Sequence, residues 1–173
     1  MSVDGLPDSV TFKEGDFSLI IEDLRCLETG DLVIELVDMD SNVACRANPM
    51  RVLESAMLLP YWGDLHGQSG ESIGIGTARS YFTFARDCAF LDLTSHQAND
   101  FQVNNRFWSY LNELSVEFLE EGRFVTFPGY EWSGNTAVGG DRNVYFRTEG
   151  RQIRRSSHAL LPEREDLDTD APA

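Results

Sequence analysis

The feature that most constrains this chain is the alternation between Tyr61 and Glu131. Tyr61 to His66 is a short run of strand character. Four glycines then loosen residues 67–76, and Thr77 caps a helix reaching about Cys88, with Tyr81, Ala85 and Cys88 spaced four and three apart. Ala89 to Leu93 has the composition of a buried strand. Asn104 or Asn105 opens a second helix, whose apolar stripe Phe107, Leu111, Leu114 and Phe118 ends near Glu121-Gly122. Phe124 to Phe127 predicts a third strand and Asn143 to Arg147 a fourth. Strands separated by helices are the material of parallel α/β construction, because parallel neighbours need a crossover between them.

In such folds the chemistry collects where strands end at their carboxyl side. Asp64 and His66 follow the first predicted strand, His96 the second and Glu131 the third. Asp64 and His66 are two apart, so a continuing strand would point both to one face. Imidazole with carboxylate is a ligand set for Zn, Mn or Fe in hydrolytic sites. An ion there would lower the pKa of a bound water, with Glu131 bridging ions or orienting that water. The plainer reading makes Asp64 a loop cap, His66 a hydrogen-bonded rim residue and Glu131 a salt-bridge partner.

The N-terminal third has a different texture. Residues 1–16 are polar and irregular. Phe17 to Ile21 and Leu32 to Val37 are β-type runs around Thr29-Gly30-Asp31, the pattern of a hairpin. Asp38 to Pro49 is turn-rich, and Val52 to Leu59 is ambiguous between strand and helix. The expected organisation is a β-rich segment over 1–58, an α/β body over 59–161 and an acidic tail over 162–173.

A formal charge of −15 excludes a nucleic-acid or anionic-membrane surface, which needs Lys and Arg to replace counterions. It leaves room for a small anionic substrate held by a metal and a few arginines. Arg142, Arg147, Arg151, Arg154 and Arg155 form either such an oxyanion clamp or a solvated face balancing the acidic tail. Gln97, Asn99 and Asp100 follow His96 as groups able to orient ligands. The three cysteines, Cys26, Cys45 and Cys88, match no zinc knuckle, and Cys88 on the helix stripe predicts a buried free thiol. A reducing, cytoplasmic location fits best. No apolar run approaches the ~18 residues of a membrane span.

Four blocks carry a resemblance: Tyr61-Trp62-Gly63-Asp64-Leu65-His66-Gly67-Gln68-Ser69, Leu91-Asp92-Leu93-Thr94-Ser95-His96-Gln97, Pro128-Gly129-Tyr130-Glu131-Trp132-Ser133-Gly134-Asn135, and Gly139-Gly140-Asp141-Arg142-Asn143-Val144-Tyr145-Phe146. In this order they resemble the domain-of-unknown-function family 3604, itself similar to the PHP (polymerase and histidinol phosphatase) phosphoesterases. The resemblance covers roughly residues 58–160. It implies a partial, distorted (β/α) barrel preceded by the β-rich segment. It also implies a metal-dependent hydrolase, phosphoesterase-like, with one to three divalent ions and a metal-activated water. The implied metal ligands are Asp64, His66, His96, Glu131 and Asp141, with Glu131 and His96 catalytic; beside these, Arg142, His158 and Gln68 are read from the residues as substrate contacts. Further family blocks would come after Ala173, so the resemblance also implies the front part of a longer chain, or one needing a partner copy. Gln68 stands where the family pattern has a second histidine, and Ser95 where it has an acid. These two departures support a second reading, a non-catalytic barrel-derived binding or assembly module that has lost part of the metal site.

Overall fold

The computed structural model describes residues 2–16, 18–41, 43–134, 140–157 and 160–161. The chain divides into two compact units, Met1–Pro60 and Tyr61–Ala173. His158 and the acidic tail over 162–173 lie outside the described residues.

The first unit is built from short antiparallel pairs. β1 (Val3–Asp4) pairs with β2 (Arg25–Cys26). β3 (Gly30–Leu32) and β4 (Glu35–Val37) meet β6 (Met50–Val52) and β5 (Ala44–Arg46) respectively, as two nested ladders. The turn between β4 and β5 is closed by Asp38, whose carboxylate accepts from Asp40 N–H at 3.0 Å and from the Ser41 hydroxyl at 2.5 Å. Aspartate side chains hold turns in this way. So the turn-rich stretch 38–49 supplies the hairpin, and its partner is the 32–37 run rather than the 17–21 run. Residues 18–21 carry no strand, and Leu53 to Leu59 form neither strand nor helix.

The second unit contains the one parallel sheet among the described residues: β7 (Gly63–Gly67), β8 (Leu93–His96) and β9 (Val125–Thr126), in that order. The crossovers are α1 (Ala78–Thr83) and α2 (Asn105–Phe118). Thr77 caps α1 through a capping box with Ser80, and Asn104 caps α2 by accepting Phe107 N–H at 2.8 Å. Ala78, Phe82 and Ala85 pack with Leu111, Leu114 and Phe118 on one face of the sheet. No described helix is long and apolar enough to cross a membrane.

Local shifts displace side chains from their expected places. After Thr83 the helix widens into one π turn over Phe84–Cys88, with Ala89 N–H bonding Phe84 C=O at 2.8 Å. The wider turn changes the direction in which its last side chains point, and Cys88 is exposed rather than buried. Phe90 then takes a left-handed φ of 51°, which ends regular structure there. The second strand therefore begins at Leu93, not at Ala89, and His96 lies within it.

These residues do not form a (β/α) barrel or an arc of one. The described strands fall into five small sheets, and the parallel ladder stops at β9, beyond which a single parallel bridge joins Asn99 to Glu131. β10 (Gly129–Ser133) pairs antiparallel with β11 (Asp141–Tyr145). The physical reason is length. Only residues 134–140 separate these strands, and a parallel return needs a crossover of roughly 10–12 residues or more.

Candidate functional site

Three chain segments meet around Glu131. β10 continues from the end of β9, and Glu131 N–H donates to Ala98 C=O at 3.0 Å, which seats Glu131 beside Asn99. Glu131 is directly opposite Asn143 in the β10–β11 ladder, so both side chains rise on one face. His66, from β7, stands over them.

The buried Glu131 carboxylate accepts from two amides at one oxygen, with the His66 imidazole close to the same atom. Asn99 Nδ2 lies 3.0 Å from Oε2, Gln68 Nε2 3.1 Å and His66 Nε2 3.3 Å. The other imidazole nitrogen, Nδ1, lies 2.8 Å from Asn143 Nδ2. The same amide donates to Leu65 C=O at 3.3 Å, which places the NH₂ rather than the oxygen of Asn143 here. His66 then accepts at Nδ1 and donates from Nε2 towards Glu131. Gln68 is itself held, its Oε1 accepting from the Ser72 hydroxyl. The imidazole of His66 is exposed, so the cluster faces solvent from that side.

The remaining predicted ligands lie elsewhere. Asp64 does not share the His66 face. A register shift between Asp64 and Gly67 breaks the two-residue alternation. The Asp64 carboxylate instead accepts from its own neighbour, His66 N–H, at 2.9 Å and from the Tyr81 hydroxyl at 3.0 Å. The turn that makes this possible needs Gly67, because a Cβ there would stand 2.0 Å from the Tyr81 ring. Asp141 is exposed at the start of β11, opposite Ser133.

His96 is buried among Ser69, Tyr81 and Phe107. Its Nε2 lies 2.8 Å from Ser69 Oγ. Burial pushes the imidazole down to about 4, against the attraction of Glu71 and Asp64. Its Nδ1 has no hydrogen-bond partner among the described residues. His96 is thus a neutral core residue here, and its hydrogen bonds do not reach the Glu131 cluster.

Of the candidate substrate contacts, Gln68 is inside the cluster. Arg142 is exposed, with its guanidinium 5.8 Å from the centre of the Trp132 ring. The arginine cluster is not one solvated face: Arg155 is buried, and its Nε donates to Val103 C=O at 2.9 Å. Asn143 is a member of the cluster that the sequence does not single out. Its signal there is weak, a spacing of two from Tyr145, whose hydroxyl donates to Leu65 C=O at 2.7 Å.

Among the described residues no group of three or more His, Cys, Asp or Glu side chains is disposed to hold an ion. His66 and Glu131 are a pair, surrounded by amides.

No family model matches the sequence, so the resemblance to family 3604 rests on the four blocks alone. No solved structure matches it. An uncharacterized protein of Chlamydia pneumoniae is 26% identical over 134 residues, which are 76% of this chain and 22% of that protein. The chain therefore spans about a fifth of the length of this relative.

Proposed function

We propose that His66 and Glu131 are two ligands of a divalent ion in a metal-dependent hydrolase acting on a small anionic ester, a phosphoester by the resemblance. The observation that carries this is the 3.3 Å separation of His66 Nε2 and Glu131 Oε2. At ~2.0–2.1 Å per bond, two donors of one tetrahedral ion stand roughly 3.4 Å apart. An ion bound there supplies Lewis acidity towards a water and an oxyanion.

The rest falls to the protein's own groups. Gln68 and Asn99 keep the Glu131 oxygen in place. Asn143 orients the imidazole, and with its amide turned over its oxygen would accept a hydrogen bond from Nδ1–H and leave Nε2 bare for the ion. Arg142, exposed beside Trp132, is the proposed contact for substrate oxyanions. A cytoplasmic setting is part of the same reading, supported by three free cysteines.

The fit is partial. Hydrolytic zinc sites use three protein ligands, and two are present here. That observation favours a second reading, a non-catalytic binding or assembly module in which amides hold His66 and Glu131 together without an ion.

Equilibrium dialysis of the full chain against Zn, Mn and Fe(II), followed by metal analysis, separates the two. The metal reading expects about one ion per chain, lost in Glu131→Gln and in His66→Ala. It expects hydrolysis of bis(p-nitrophenyl) phosphate to fall in step with that loss. Equal metal content in wild type and both variants would leave the binding module as the reading.

A further inference from the structure

The outward side of α2 carries a formed groove that the Glu131 cluster does not use. A hollow of about 620 Å3 runs along the helix, with Trp108 and Val116 on its floor. Val116 is 53% exposed, an apolar side chain with no cover. The far wall is the loop at Glu149, Gly150 and Arg151.

That wall is held in place by the helix itself. Asn112 Oδ1 accepts Gly150 N–H at 2.9 Å, and Trp108 Nε1 donates to Arg151 C=O at 2.8 Å. Trp108 and Asn112 are one helical turn apart, so two successive turns pin one loop. Gly150 has φ +76°, a left-handed conformation that suits glycine. The groove is therefore preformed.

Its rim is acidic. Glu113 and Glu117 stand one turn apart on α2, with Glu149 across from them and Arg151 as the single opposing charge on this lining. Glu117 pairs with Arg79, on α1. Neither Glu113 nor Glu149 has an ion-pair partner among the described residues. Unpaired carboxylates flanking an apolar floor attract a cationic, amphipathic occupant.

The geometry points to this groove as the docking site of a basic amphipathic helix from a protein partner. The occupant lays its apolar side on Val116 and on the exposed edge of the otherwise buried Trp108. Basic residues on its two flanks meet Glu113 on one side and Glu149 on the other. The inference stands apart from the proposed metal chemistry, since none of these residues touches His66 or Glu131.

The test uses the full chain and a fluorescent, 18-residue Leu/Lys amphipathic peptide, with a Leu/Glu peptide of the same pattern for comparison. Anisotropy should show binding of the Leu/Lys peptide only. Glu113→Lys with Glu149→Lys should weaken it at least tenfold. The equal charge change Glu14→Lys with Glu54→Lys should weaken it less than twofold. Val116→Asp should also weaken it several-fold with the far-UV spectrum unchanged. Equal weakening by the two charge pairs would reduce the effect to attraction by a chain of net charge −15 and overturn the proposal. So would no binding, equal binding of the Leu/Glu peptide, or a dimer that excludes the peptide, which would give the face to a second copy.

Discussion

Glu131 and Asn143 stand directly opposite each other in one ladder and close on the two nitrogens of a single imidazole, that of His66. Groups that orient a metal-binding histidine typically alter affinity 10–100-fold when removed. Asn143→Ala should therefore weaken ion binding by about that factor while the far-UV spectrum stays unchanged. Nitrogen NMR of the ion-free chain should find the His66 proton on Nε2, and Asn143→Ala should mix the two tautomers.

His96 gives the chain a pH dependence of defined sign. Burial holds the folded imidazole at about 4, whereas an unfolded histidine titrates near ~6.5. Between those values the unfolded chain binds a proton that the folded chain refuses. This contribution is complete above about pH 6.5 and is lost as pH falls towards 4, amounting to roughly 3 kcal/mol in all. Urea unfolding at pH 7 and pH 4.5 measures it. His96→Gln retains a partner for Ser69 and should remove most of the difference between the two pH values.

Asp100 ties two distant segments together. It is fully buried and accepts from Ser133 N–H at 2.9 Å, from the Ser156 hydroxyl at 3.2 Å and from Ser156 N–H. Asp100→Ala leaves buried donors without an acceptor and should cost about 3 kcal/mol by urea unfolding. Asp100→Asn keeps one oxygen and should cost less.

The close approach at Gly67 predicts coupling. Gly67→Ala forces the Tyr81 ring away and should cost about 1–3 kcal/mol. Tyr81→Ala removes the obstacle. The double variant should therefore be less destabilised than the sum of the two single variants, by at least ~1 kcal/mol in a double-mutant cycle.

Much of the local structure is legible in the residues. Thr77 and Asn104 announce the two helix starts, and the Leu111, Leu114, Phe118 stripe is the buried face of α2. The meeting of His66 with Glu131 comes through the β10–β11 ladder, which sets Asn143 opposite Glu131 and against the imidazole. The barrel does not form. The 134–140 connection is too short for a crossover, and strand character in 141–145 says nothing about direction. Asn99, one of the groups that follow His96, bonds the Glu131 carboxylate, whereas Asn143 declares itself only through the ladder.

The sequence by itself determined where the second unit's helices begin, which helix face is apolar and that strands and helices alternate. These are properties of neighbouring residues, set by caps and by periods of 3.6 and 2. Only the tertiary structure decided which polar side chains meet. A shift of one residue in a strand turns every side chain to the other face. The bulge between Asp64 and Gly67 separates Asp64 from His66, and the late start of β8 takes His96 into the core. Of the expected ligands, one exposed histidine, His66, stays over one buried carboxylate, Glu131, with the amides that hold them.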